Sequence, residues 1–313
     1  MIQPDASTKL NNESPRDFRL ALRHALTLMK PYTWFAPAWA FMVGAVASHS
    51  ITLQPFEQPL QTLTDFGRLA IGIGMAGPLL VGFSQVLNDY CDRDVDAINQ
   101  PDRLIPSGKV SRGTVIVVLL LLLVAALAVA AYLGQGVVWV TCLGLILAIS
   151  YSLHPVRLKR NGWIGNLAVA VAYEGLAWIA GHLTFQTPIT SHSLLPALLY
   201  SIGTHGIMTI NDFKSVAGDR QMNIRSIPVL YGEQKAAWLA VITIDMAQIV
   251  VIILLAIWGY TISAAIVFVL LLIQLIPQRN LIKNPTNASA IRYNIVGIPP
   301  MVWGMLAAAL RLG

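Results

Sequence analysis

Two short segments of this 313-residue chain gather acidic side chains in a sequence that has few of them. Of 15 Asp and Glu, five fall in residues 89–102 and three in 212–233. The first segment reads Asn88-Asp89-Tyr90-Cys91-Asp92-Arg93-Asp94-Val95-Asp96. On a helix, Asn88, Asp92 and Asp96 form one stripe with about 6 Å per step, bordered by Gln85 and Asp89. Like charges at that spacing destabilise the helix by a few tenths of a kcal/mol each, and a counter-cation removes the problem. Hard oxygen ligands on a rigid face suit Mg²⁺, which takes one or two carboxylates and completes its shell with water and phosphate oxygens. The alternative is a solvated helix end whose acids pair with Arg93 and Arg103.

The second segment, Asn211-Asp212-Phe213-Lys214-Ser215-Val216-Ala217-Gly218-Asp219-Arg220, repeats the pattern of Asn-Asp, further acid, then Arg. Two opposed carboxylate sets can hold Mg²⁺ around one diphosphate. Arg103, Arg157, Lys159, Arg220 and Arg225 can grip the remaining phosphate oxygens, with Arg suited to bidentate contact. Such a clamp stabilises a departing pyrophosphate, and an allylic prenyl diphosphate then opens to a carbocation for an acceptor to capture. That cation needs a dry, apolar chamber. The sequence has no nucleophile elbow, no zinc-spaced Cys/His set and no phosphate-binding glycine loop.

The elements that must position these segments are membrane helices. Hydrophobic residues make up 56% of the chain and charged residues 12%, about half the charge of an ordinary soluble domain. That excludes a disordered chain, a secreted disulfide scaffold and a nucleic-acid binder; Cys91 and Cys142 indicate no redox compartment. Nine apolar stretches are near the ~20 residues needed to span a bilayer: 32–51, 67–90, 113–133, 137–153, 163–183, 193–212, 236–257, 260–276 and 292–311. With the N-terminus in the cytoplasm, all but Arg68 and Arg311 of the 21 Lys and Arg fall on the cytoplasmic side, as the positive-inside rule requires. Residues 1–16 read as a disordered tail, 17–30 as an amphipathic surface helix, and 17–313 as a single transmembrane domain. No signal peptide is evident. The expected fold is therefore all-α, with both acidic segments at the cytoplasmic ends of the second and sixth spans.

The two motifs resemble the Asp-rich motifs of the UbiA-type intramembrane prenyltransferases. Within that superfamily the chain is most similar to chlorophyll and bacteriochlorophyll synthases. The segments carrying the similarity are Lys30 to Phe35, Asp89 to Gly108, Tyr151 to Trp163, Tyr173-Glu174-Gly175 and Asn211 to Gly232. The resemblance implies nine helices around a central cavity, in a bacterial cytoplasmic or intracytoplasmic photosynthetic membrane. It implies transfer of a geranylgeranyl or phytyl group to the propionate of a (bacterio)chlorophyllide, with pigment-handling membrane proteins as partners. By position, Asn88, Asp89, Asp92, Asp96, Asp212 and Asp219 become the Mg²⁺–diphosphate residues. Arg103, Arg157, Lys159, Lys214 and Arg220 become phosphate binders, and Tyr151 lines the reacting end. Superfamily members place a further acid where this chain has Ser215 and Val216.

Ionisable groups inside apolar spans are costly and often functional. His205 shares a helical face with Thr209 and Asp212, so it is expected to look into the cavity, as a neighbour of the pigment's metal or as a structural hydrogen-bond donor. Glu174 is either a pocket residue or a buried structural acid, while Asp245 and Gln248 suit interhelical hydrogen bonds. Other readings are prenylation of a quinone precursor or haem, or transport of a divalent cation or polyprenyl phosphate. A transporter would need acids running through the bilayer, whereas these gather at one side.

Overall fold

The computed structural model describes residues 15–186 and 188–312; the expected tail at 1–16 lies outside them except for its last two residues. Those begin α1 (Pro15–Met29), whose Leu28 is buried against Phe83 and Val86 while Leu20, Leu22 and Leu26 stay exposed. The chain then turns through Lys30, whose backbone is left-handed at φ 48°, into α2 (Phe35–Ala47). Helix α3 (Pro59–Ile98) follows. Its 40 residues rise about 60 Å, twice the ~30 Å hydrocarbon core, so the helix is longer than the apolar layer is thick. A π-turn at Met75–Val81 surrounds Pro78, which has no N–H to donate.

Helices α4 (Arg112–Leu133) and α5 (Gln135–Ser152) form a hairpin through Gly134. Helix α6 (Gly162–Phe185) contains a second π-turn at Val171–Leu176. Then come α7 (Ser191–Asn211), the short helices α8 (Val216–Gln221) and α9 (Ile227–Tyr231), and the long pair α10 (Glu233–Ile257) and α11 (Thr261–Lys283). Trp258-Gly259-Tyr260 separates that pair, as the hydropathy pattern predicts. Helices α12 (Asn287–Val296) and α13 (Ile298–Ala309) complete the bundle.

Among the described residues, seven helices are long and apolar enough to cross a membrane. The first and last expected spans are the two that fall short. The 13 residues of α2 rise only about 20 Å, and the stretch expected at 292–311 is broken at Gly297 before Pro299 and Pro300. The other seven expected spans coincide with long helices. Their outward faces expose Leu121, Val124, Ile253, Ile266 and Phe268, which suits contact with acyl chains.

Close backbone approach sets the core. A Cβ at Gly44 would overlap the Trp178 carbonyl, and one at Gly181 would overlap that of Phe41. Only glycine lets α2 and α6 pack so tightly, the small-residue logic of membrane helices. Buried polar groups pair between helices: Gln248 donates to Gln274 (2.8 Å), Gln274 to the Tyr293 hydroxyl (2.7 Å), and Gln278 to Asp245 (2.6 Å). The expected interhelical role of Asp245 and Gln248 is therefore present.

Candidate active site

The last turns of α3 carry the first motif, and every carboxylate on its inner side meets a cation. Asp92 accepts from Arg157 at 2.7 Å and from Lys159. The Lys159 ammonium also reaches Asn88 Oδ1 at 2.8 Å. Asp89 pairs with Lys30 at 2.7 Å, while Arg103 joins Asp96 at 2.7 Å and Asp89 at 3.6 Å. The expected stripe is thus divided: Asn88 and Asp92 share Lys159, whereas Asp89 and Asp96 share Arg103. The pairing of Arg103 with these acids, the alternative to a metal site, is present. Burial pulls the Lys159 ammonium below its usual range, opposed by the Asp92 charge beside it.

Two of these cations sit on strained backbone. Arg157, at φ 38°, shares the left-handed region with Lys30. Non-glycine residues there cost about 1–3 kcal/mol each and persist where the surroundings over-determine them. Here the carboxylate partners do so.

The second motif is built differently. Asp212, just past α7, accepts from the Asn166 amide of α6 at 2.9 Å. Asp219 in α8 accepts from the Ser215 hydroxyl at 2.9 Å, so Ser215 serves that neighbour where superfamily members have an acid. Asn211 accepts from Asn294 of α12 at 2.6 Å. Among the described residues, no cation pairs with Asp212 or Asp219. One acidic set is neutralised within the protein and the other is held by neutral donors.

A tie in the loops joins the two sets. The segment carrying Arg157 and Lys159 meets the segment after Asp219 through a parallel bridge between Asn161 and Arg225. Its bonds are Gly162 N–H to Arg225 O and Arg225 N–H to Arg160 O, both 2.9 Å. A Cβ at Gly162 would lie 2.7 Å from the Ile227 nitrogen, so this contact requires glycine.

Asn88 of the first motif and Asn211, Asp212, Lys214 and Ser215 of the second line one cavity of about 860 Å³, whereas the side chains of Asp89, Asp92, Asp96, Asp219, Arg103, Arg157 and Lys159 are not part of its lining. Asn88, Tyr151, Asp212 and Lys214 line its polar end, and the Tyr151 hydroxyl is within electrostatic reach of Asp92, Asp212 and Asp219. Tyr173 and Glu174 reach the cavity from the π-turn of α6, a device common at functional sites. The Tyr173 hydroxyl contacts Ser84 at 3.2 Å. Thr204 donates to Glu174 Oε2 at 3.2 Å, while Glu174 Oε1 is buried without a partner. The outer wall is aromatic: Phe35 stacks on Trp39 at 5.8 Å, and Trp39 meets Trp303 edge-on at 5.4 Å.

Other expected site residues lie elsewhere. His205 is not among the side chains lining the cavity; its ring stacks on Trp163 at 5.4 Å, with Nε2 3.3 Å from the Trp163 carbonyl. Trp163 covers the face that the helical spacing aims inward. Arg220 is exposed. Sequence reasoning missed Lys30 as a partner of Asp89, and Asn166 and Asn294 as supports of the second motif. A polar amide inside an apolar span was the available signal for the last two.

Among the described residues, no three His, Cys, Asp or Glu side chains form a ready-made metal shell. Mg²⁺ does not need one, because phosphate oxygens and water supply much of its coordination. The oxygens of Asn88 and Asp212, which face one cavity from two helix ends, are hard donors that fit that ion.

The chain matches the UbiA prenyltransferase family over residues 38–298. It belongs to that family. This membrane prenyltransferase is 50% identical over 301 residues to the bacteriochlorophyll synthase 34 kDa chain of Chloroflexus aurantiacus, covering 96% of this chain and 94% of the relative. It is 36% identical over 299 residues to the chloroplastic chlorophyll synthase of Oryza sativa subsp. japonica, covering 91% and 75%. Its fold is similar to that of a UbiA homolog from Archaeoglobus fulgidus bound to GPP and Mg²⁺, with a TM-score of 0.66 at 16% identity, covering 91% of this chain and 99% of the other.

Proposed function

We propose that this UbiA-family enzyme is a Mg²⁺-dependent bacteriochlorophyll synthase. It transfers a geranylgeranyl or phytyl group from its diphosphate to the propionate carboxylate of a bacteriochlorophyllide. The observation that carries the reading is the single cavity joining a polar end, where Asn88 and Asp212 face inward, to an aromatic wall of Phe35, Trp39 and Trp303. The similarity to bacteriochlorophyll synthases supports the choice of acceptor.

Asn88, Asp89, Asp92, Asp96, Asp212 and Asp219 would hold Mg²⁺, which when bound neutralises charge on the diphosphate. The protein's own cations act with it. Lys30, Arg103, Arg157 and Lys159 neutralise the carboxylates of the first motif, and would contact phosphate oxygens where those carboxylates held the metal. Lys214, which lines the cavity, adds charge from the second motif. As the bond between prenyl C1 and the diphosphate oxygen breaks, its electron pair leaves with pyrophosphate. A lone pair of the propionate oxygen forms the new C–O bond at C1. The carboxylate is already ionised near neutral pH, so no general base is required. Tyr151 closes the reacting end, and the apolar walls exclude water from the cation.

In the membrane, the short helix α2 and the broken pair α12–α13 complete nine crossings, with the N-terminus and the active site on the cytoplasmic side. The positive-inside pattern supports this orientation. Membranes holding the enzyme, supplied with geranylgeranyl diphosphate and Mg²⁺, are offered bacteriochlorophyllide beside an aromatic acid and haem. A pigment ester identified by product mass is expected. Transfer only to the aromatic acid or haem overturns the assignment.

A further inference from the structure

The end of the bundle that carries the aspartates has a second concavity, of about 630 Å³, between α11 and α12. Its position follows from two contacts. The Gln234 side chain at the start of α10 donates to the Ile282 carbonyl near the end of α11 (3.0 Å), and Asn294 of α12 holds Asn211 beside Asp212 (2.6 Å). Helix α11 contributes the outward-facing Ile273 and Ile276 together with Asn280 and Lys283, α12 contributes Arg292 and the outward-facing Val296, and no acid lines the groove. Among the described residues, neither Lys283 nor Arg292 forms an ion pair, whereas Lys30, Arg103, Arg157 and Lys159 all do. Pro277 within α11 provides no N–H, so the Ile273 carbonyl lacks its helical partner.

We propose that this groove binds an anionic phospholipid, with its phosphate between Lys283 and Arg292 and one acyl chain along Ile273, Ile276 and Val296. Charge complementarity selects the headgroup. Two cations without a carboxylate neighbour attract a net-negative lipid, while the quaternary ammonium of a zwitterionic lipid would meet like charge. The outward-facing Ile273, Ile276 and Val296 place the groove at the lipid boundary, so the anion that meets Lys283 and Arg292 there carries acyl chains. The bound lipid also reaches the active site through one helix: Tyr293 lines the groove and its neighbour Asn294 lines the catalytic cavity. A lipid seated there braces α12 and, through it, Asn211. Binding itself does not depend on which acceptor the enzyme prenylates.

The test uses the full chain in nanodiscs of equal phosphatidylglycerol and phosphatidylcholine, with retained lipids counted by native mass spectrometry. Wild type is expected to retain phosphatidylglycerol over phosphatidylcholine by roughly tenfold. The double variant Lys283→Gln/Arg292→Gln is expected to bring that ratio near unity. Lys109→Gln/Arg112→Gln removes the same charge outside the groove and should keep the preference. Both variants change exposed side chains, and a monodisperse chromatographic peak confirms their folding. Three results overturn the proposal: an unchanged ratio in the first variant, an equal loss in the second, or displacement of the lipid by inorganic phosphate alone.

Discussion

The unequal treatment of the two acidic motifs can be measured by separating stability from turnover. In Asp92→Asn, Arg157 and Lys159 lose the carboxylate between them, and their side chains are only 15% and 10% exposed. Removing one member of a buried pair leaves uncompensated charge, and the neutral amide still accepts one bond, so the expected loss is about 2–4 kcal/mol. In Asp212→Asn the Asn166 donor keeps an oxygen to bond, and no cation is stranded, so the loss should stay under about 1 kcal/mol. Both variants should nevertheless lose roughly 100-fold or more in kcat, since each removes charge from the diphosphate site. Thermal unfolding in detergent and prenyl transfer at saturating substrates are the two assays. Equal destabilisation by both substitutions would refute the argument that only the first motif is neutralised internally. Near-normal turnover in either would remove that aspartate from the reaction.

Lys30→Met is expected to raise KM for the prenyl diphosphate while leaving KM for the pigment unchanged, with Lys30→Arg restoring most of the loss in steady-state assays. Trp39→Ala should do the reverse, raising KM for the acceptor alone, because it removes part of the aromatic wall. Gly181→Val should prevent close packing of α2 on α6 and abolish the folded monodisperse protein, read by chromatography. Because burial lowers the Lys159 pKa, its cation should be lost, and activity should fall, as pH rises through a value below the usual lysine range; Lys159→Arg should shift that alkaline limb upward. The unfolded chain keeps the Lys159 proton to higher pH, so this group's contribution makes stability rise with pH across the same window.

Much of the candidate site was legible as two motifs because each motif is local in the chain. The i, i+4, i+8 spacing from Asn88 to Asp96 and the echo at Asn211-Asp212 identify two metal-capable helix ends without any knowledge of their neighbours. Long apolar runs such as 113–133 and 236–257 declare their helices equally well, since burial in lipid demands only length and hydropathy. The two ends of the bundle were harder. The stretch at 292–311 contains enough apolar residues for a span, but Gly297 and Pro299-Pro300 divide it, and a window average does not register where a helix stops. His205 shows the corresponding limit at a single residue: its helical phase was readable, whereas Trp163, packed over that phase from another helix, was not.

Composition and spacing by themselves determined that this is a membrane protein with two acidic helix ends, because those properties are read along one helix at a time. Tertiary structure alone decided which charges meet. Lys30 joins Asp89 across 59 positions, Lys159 joins Asp92 across 67, and Asn294 joins Asn211 across 83. Such pairings depend on how whole helices pack, and packing is set by many weak contacts, including the glycine approaches of α2 to α6, that leave no local mark beside the residues they bring together.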